Sequence, residues 1–354
     1  MRILHCYCLN YNIGDYALGM GVKNLFRQNF DVDFFGETNL QGRVFDEYYI
    51  NEVVNKRYDL LVIGGGGIIH GVHWPNGWFW LIDRNLIRTI KIPFVIFSAG
   101  NNYFISEGNI PEKAIDHLKE TYRWAKFFSV RNDGSYERII RQTGIIPEEQ
   151  PDPGFHIPRK MDPKRPTEIP YIIVQLAADK LLHRFGSQEN IVAFQTILVK
   201  ELKLLSQRYH VFFCPHVYDD VAFSRNIMQE IPNSSLLEFG KFAFDRCQEV
   251  VEYYQSAEFV IAMRGHAQIV PIGFEVPVIA LYNHIKHQGL MEKLGLSEYG
   301  CDVTAQEFPQ HFATIIAEVE THREFYLNKL AIIRNQLDVQ TSLIMQKLVS
   351  SLHG

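Results

Sequence analysis

The chain is short of net charge. Its 35 lysines and arginines stand against 40 aspartates and glutamates, leaving a formal charge of −5 across 354 residues. There is no basic stripe, so nucleic acid is not an expected partner. Cysteine is scarce as well: Cys6, Cys8, Cys214, Cys247 and Cys301 are scattered and odd in number. Such a set makes no disulfide framework and reads as reduced, mostly buried thiols of an intracellular protein. No window reaches the ~18–20 apolar residues of a membrane span. The opening "MRILHCYCLN" has one basic residue and too short an apolar stretch for a secretory signal, and reads as a first β-strand. These absences predict a soluble, cytoplasmic protein. Internal repeats and low-complexity segments are missing too.

What is present is apolar material, 47% of the residues, in a chain whose length favours two domains over one. Short apolar runs alternate with helical patterns. In the first half they are "RILHCYCL", "DLLVIGGGG", "FVIFSAG" and "FFSVRN"; in the second, "YIIVQLA", "HVFFCPH", "FVIAMRG" and "PVIALY". Helices are expected over 112–126, 189–208 and 247–256. Runs that are apolar throughout, separated by helices, indicate buried parallel strands in βαβ units. Residues 147–170 hold seven of the fifteen prolines. Proline donates no amide and restricts its predecessor, so this stretch reads as a connector and not an element. The expected fold is α/β, with two Rossmann-like lobes built on parallel sheets. Their spans are 1–158 and 159–306, with helices over 307–354 packing on the lobes. Such lobes would enclose a cleft at the carboxyl ends of their strands, where ligands of open α/β sheets bind.

Several strand ends carry candidate site residues. Asn12 and Gly14 suit a tight turn, and Asp15 suits the N-cap of a helix running to about Arg27. The amides of that helix start could face an anion or a sugar hydroxyl. Gly64–Gly67 place four glycines at a strand end, without the G-x-G-x-x-G spacing or the Lys-Ser/Thr of a P-loop. Backbone must pass close there to a ligand or to the neighbouring lobe, which makes Gly65 and Gly66 binding candidates. His70 and His73 follow. With no cysteine or carboxylate nearby they make a poor metal pair, and His70 is better placed to touch substrate. "HWPNGWFW" holds three of the four tryptophans, which either stack on sugar rings or anchor a loop. Asn101 ends the next strand. Arg131 ends another, where a guanidinium either pairs with an internal carboxylate or binds a substrate phosphate or carboxylate. His216 follows a strand of the second lobe and is expected at the cleft, with Asp219 and Asp220 capping a helix. Finally, "VIAMRGHAQIVPIG" sets Arg264 and His266 into an apolar run, where a strand stops and a helix begins. A buried guanidinium needs a carboxylate or an anionic ligand, and His266 beside it is able to donate a proton.

Taken in order, these residues resemble the polysaccharide pyruvyl transferase family. The shared features are Asn12, Gly14 and Asp15; Gly64–Gly67; "SVRNDGS"; Asp152 and Pro153; Arg264 and His266; and "IGFEVPVIALYNHIK" with Tyr282 and Lys286. Asn132 stands where the family usually has Asp, and "SAGNN" replaces its commoner Gly-Pro ending. The resemblance implies a GT-B-like fold. It also implies phosphoenolpyruvate as donor and, as acceptor, a hydroxyl pair of a sugar in a cell-surface glycan or its precursor. The products would be a cyclic pyruvate ketal and phosphate, with no metal or cofactor. In this reading His266, Arg264 and Arg131 are catalytic, the arginines gripping the phosphate and carboxylate while His266 protonates the methylene carbon. Asn12, Asp15, Gly65, Gly66, His70, Asn101, His216 and Lys286 would bind substrate, and His266 itself, or His70 or His216, would assist phosphate departure. A lipid-linked acceptor would bring the protein to the inner membrane surface, and a homo-oligomer is compatible with the sequence. Two alternatives share the same shape. One is a nucleotide-sugar glycosyltransferase, for which Glu275 is the one candidate ribose or base ligand. The other is a non-catalytic sugar- or anion-binding relative.

Overall fold

The computed structural model describes residues 1–9, 12–71, 74–102, 109–237, 247–283 and 285–353. They divide into two units. The first comprises Met1–Asn10, Leu18–His156 and Leu337–Gly354; the second comprises Tyr11–Ala17 and Ile157–Gln336.

In chain order, the first half contributes β1 (Arg2–Tyr7), α1 (Ile13–Asn29), β2 (Phe34–Asn39), β3 (Val44–Phe45), α2 (Asn55–Arg57), β4 (Leu60–Ile69) and β5 (Leu81–Ile82). There follow β6 (Phe94–Asn101), α3 (Glu112–Trp124), β7 (Phe127–Arg131), α4 (Ser135–Thr143) and β8 (Glu148–Gln150). A six-stranded parallel sheet in the order β2-β1-β4-β6-β7-β8 forms the first unit's centre. One side of its core is made by Ile3, Leu18, Val22, Val62 and Phe97, joined by Ile344, Met345 and Leu348 from the far end of the chain.

The second half contributes β9 (Tyr171–Gln175), α5 (Leu181–Phe185), α6 (Gln188–Leu205), β10 (His210–Phe213), α7 (Asp219–Met228), β11 (Ser234–Leu236) and α8 (Cys247–Gln255). Then come β12 (Val260–Ala262), α9 (Gly265–Gly273), β13 (Val278–Tyr282), α10 (Ile285–Lys293), β14 (Gly300–Asp302), α11 (Phe308–Thr321) and α12 (Arg323–His353). Its sheet is parallel too, in the order β11-β10-β9-β12-β13-β14.

Each sheet reverses its strand order once, between β1 and β4 in the first unit and between β9 and β12 in the second. In the second unit Gln175 stands level with Ala262 across that reversal. The loops leaving β9 and β12 therefore start side by side, diverging to opposite faces of the sheet. Open α/β sheets bind ligands at such a point.

Two local expectations change. The proline-rich stretch contains β8, an edge strand of three residues, and a 3₁₀ turn over Pro153–His156. The first helix starts at Ile13, so Asp15 lies in its first turn and does not cap it. Asn12 does: its Oδ1 accepts the Gly14 amide at 2.9 Å. Among the described residues no helix is long and apolar enough to cross a membrane.

Candidate functional site

In the second unit the strand-order reversal gathers a dense polar cluster. Asp220, fully buried, accepts Arg264 Nε at 2.8 Å and Nη2 at 2.6 Å. The same carboxylate takes the amides of Ala178 at 2.9 Å, His216 at 3.2 Å and Val217 at 3.3 Å. Gln175 Oε1 accepts the Arg264 amide at 2.8 Å, closing the frame. Arg264 Nη2 also meets Asp179, which Arg184 holds from its other side at 2.8 Å. Burial works against the charge on Arg264, but Asp220 and then Asp179 outweigh it and raise its pKa further. Burial likewise opposes charge on Asp179, and Arg264 and Arg184 hold its carboxyl below the usual range. The guanidinium is thus fixed along one edge. Its Nη1 has no hydrogen-bond partner among the described residues.

His266 lies in the first turn of α9, half-buried. Its ring rests against Gly14: a Cβ at that glycine would sit 2.6 Å from both Cβ and Nδ1 of the histidine. The start of α1 is itself tied down, since the Ile13 amide donates to the His216 carbonyl at 3.0 Å. Asn12, Asp15, His216, Arg264 and His266 therefore belong to one neighbourhood. His216 enters it differently from the expectation of a cleft-facing group. Only 2% of it is exposed, and its Nε2 shares a 2.7 Å hydrogen bond with Tyr254 Oη. Burial, then the charges of Arg264 and His266, push its pKa well below the ordinary value. The ring is a sealed, neutral support. Asp220 is likewise more than the helix cap expected of it, being the buried ion-pair partner of Arg264.

The remaining candidates lie in the first unit. Arg131 is 8% exposed, and internal carboxylates take both of its terminal nitrogens: Asp152 at 2.9 Å on Nη1 and Asp133 at 2.8 Å on Nη2. Of the two roles open to it, the ion pair is the one formed. Asp133 follows Asn132 just past the end of β7. It accepts Ser135 Oγ, which in turn accepts the Asn101 amide at 2.7 Å, so the ends of β6 and β7 are laced together. The glycine run is shaped by its own unit. Gly64 has φ +137°, and a Cβ there would meet the Phe97 carbonyl at 2.2 Å; a Cβ on Gly65 would meet Leu18 at 2.2 Å. Gly66 continues the left-handed backbone at φ +85°. His5, fully buried on β1, donates from Nε2 to the Gly64 carbonyl at 2.9 Å. His70 is half-buried, its ring edge-on to Phe79 with the ring centroids 5.8 Å apart. Trp78 and Trp80 are wholly buried, and Trp78 Nε1 donates to His117 at 2.8 Å, so they anchor the loop and stack on no ligand. His73 and the side chain of Lys286 lie outside what is described.

Comparison with known proteins joins this geometry to a family. The model of the polysaccharide pyruvyl transferase family matches residues 12–285, which takes in the start of α1, the second sheet's order reversal, and Arg264 with His266. The chain belongs to the polysaccharide pyruvyl transferase family. It is thereby a transferase with a sugar or glycan acceptor. A search of curated proteins finds no match. Among solved structures, one assigned as a UDP-N-acetylglucosamine 2-epimerase of Listeria monocytogenes aligns with TM-score 0.63 and 12% identity, over 99% of this chain and 95% of that one. The glycosyltransferase SnogD of Streptomyces nogalater aligns at 0.53 and 11%, over 99% of each. The UDP-GlcNAc 2-epimerase of Methanocaldococcus jannaschii aligns at 0.51 and 12%, over 90% and 92%. At these identities the likeness is one of fold, and the fold is of GT-B type.

Asp179, Arg184 and Gln175 had no signal of their own in the sequence. Asp220 was visible only as one of two aspartates at a helix start. Glu275, the one candidate nucleotide ligand, is ion-paired to Arg159 at 3.0 Å.

Proposed function

We propose that this pyruvyl transferase takes phosphoenolpyruvate as donor and closes a cyclic pyruvate ketal on two hydroxyls of a sugar in a cell-envelope glycan or its precursor, releasing phosphate. The observation that carries this reading is Arg264 at the strand-order reversal. It is locked along one edge by Asp220, with Nη1 uncommitted among the described residues, and His266 stands two residues on at the start of α9. Phosphoenolpyruvate offers a phosphate and a carboxylate, and Nη1 together with the positive end of α9 suits either.

In this mechanism protonated His266 gives its proton to C3, which makes C2 electrophilic. The first sugar hydroxyl adds at C2 and its proton passes to the imidazole. That proton then goes to the bridging oxygen as the C2–O bond breaks and phosphate leaves. The second hydroxyl closes on C2, and its proton restores the imidazolium. One histidine balances the cycle, and the sealed ring of His216 is not needed for it. Arg131, committed to Asp133 and Asp152, shapes the β6 and β7 ends instead of gripping the donor.

Phosphate release from phosphoenolpyruvate in the presence of a glycan panel tests the reading. His266→Asn should lower release by ~10²–10⁴-fold, the usual worth of a general acid, with little change in melting temperature. Arg264→Gln should abolish it. Full activity in both variants would end the assignment. A melting temperature raised by UDP-sugars but not by phosphoenolpyruvate would favour a glycosyltransferase.

A further inference from the structure

We propose that Asp179 is an internal competitor for the substrate anion: it occupies Arg264 Nη2, yields it to the incoming phosphate or carboxylate, and so sets how tightly the site holds anions. This rests on the reading of Arg264 as the donor's anion fork.

Two carboxylates meet this one guanidinium, and their circumstances differ. Asp220 is fully buried and satisfied by three backbone amides, so releasing it would strand a sealed charge. The Asp179 side chain is 33% exposed, and side-chain contacts from two arginines hold it. Arg184 contacts both of its oxygens, at 3.0 and 2.8 Å, and also donates from Nε to the Asp179 carbonyl at 2.7 Å. Letting go of Arg264 therefore leaves Asp179 with a complete partner of its own. Arg184 Nη1 is tied to Asn283 at 3.2 Å, which keeps that partner in place. Of the two aspartates, Asp179 is the exchangeable one. Until it moves, its negative charge stands where the donor's charge must come.

A carboxylate in that position lowers affinity for the anion, so removing its charge raises affinity. A carboxylate that merely positions Arg264 predicts the reverse. Titration calorimetry with inorganic phosphate, and separately with phosphoenolpyruvate, reads the difference. Asp179→Asn should bind both on the order of tenfold tighter, with KM for phosphoenolpyruvate falling in step and kcat not rising. Asp162→Asn removes an equal charge from an exposed site in the same unit and should bind as wild type does. The Asp179→Asn/Arg264→Gln double variant should lose the gain. Unchanged or weaker phosphate binding in Asp179→Asn, an equal gain in Asp162→Asn, or no binding of either anion to any form would overturn the proposal. Tighter phosphate binding without turnover of phosphoenolpyruvate on any glycan would leave Asp179's role standing and defeat the pyruvyl-transfer reading instead.

Discussion

Burial holds His5, His117 and His216 toward their neutral form. His5 shows the cost. Its ring is fully buried on β1 and holds the Gly64 carbonyl, and burial lowers its pKa from 6.5 to about 4. Above pH 6.5 both folded and unfolded forms are neutral and the group adds no pH dependence. Between 6.5 and about 4 the unfolded chain takes up a proton that the folded one refuses, so stability falls as pH falls. The slope approaches ~1.4 kcal/mol per pH unit, roughly 3 kcal/mol by pH 4. His216 and His117, also lowered mainly by burial, push in the same direction. Urea denaturation at pH 7 and pH 5 should show this loss, and His5→Gln should flatten it by about one proton's worth. An unchanged slope in the variant would mean His5 is not among the groups responsible.

At the scale of elements, the start of α1 sets a local preference against a site requirement. Replacing a helical glycine by alanine ordinarily gains ~0.5–1 kcal/mol. Gly14 is pressed against His266, and an added methyl would lie 2.6 Å from its Cβ and Nδ1. Gly14→Ala should therefore leave the melting temperature near wild type while phosphate release falls at least tenfold, because the ring must shift. Undiminished release would show that Gly14 does not place the imidazole. The elements also show what a sequence discloses. The central strands β4, β6, β9 and β13 open on buried, wholly apolar runs, "LLVI", "FVIF", "YIIV" and "VIAL", which could be read directly. The edge strands β2 ("FFGETN"), β8 ("EEQ"), β11 ("SSL") and β14 ("GCD") were missed because edge position tolerates polar or short sequences. Arg264 could be recognised as a buried cation in need of a partner. Its partners could not, since Asp220 and Asp179 lie 44 and 85 residues away in sequence and only the topology of the second sheet brings them near.

At the scale of the whole molecule, neither unit is a single stretch of chain. The second takes a short segment, Tyr11–Ala17, from near the start, and the first takes Leu337–Gly354 from the far end of α12. Ile344, Met345 and Leu348 lie in the first unit's core beside Ile3, Leu18 and Phe97, and Thr341 Oγ1 pairs with the His156 ring at 2.7 Å. Burying each such side chain stabilises by ~1.5–3 kcal/mol. Ending the chain after Gln336 should therefore remove several kcal/mol from the first unit and none of the second unit's residues. Hydrogen exchange would show it as lost protection in β1, β4 and β6 with β9 and β12 still protected. Uniform protection in the truncated protein would contradict this account of the core.

The return of α12 also imposes a timetable on biosynthesis. The six strands of the first sheet are all synthesised by Gln150, yet Leu348, which closes one side of their core, is translated nearly two hundred residues later. At ribosomal speeds of ~5–20 residues per second that interval is about 10–40 s. During it the apolar face awaiting Ile344, Met345 and Leu348 stands uncovered while the second unit is being made. The first unit to be translated is thus among the last to be finished, and its exposed face is where a nascent-chain chaperone would be needed.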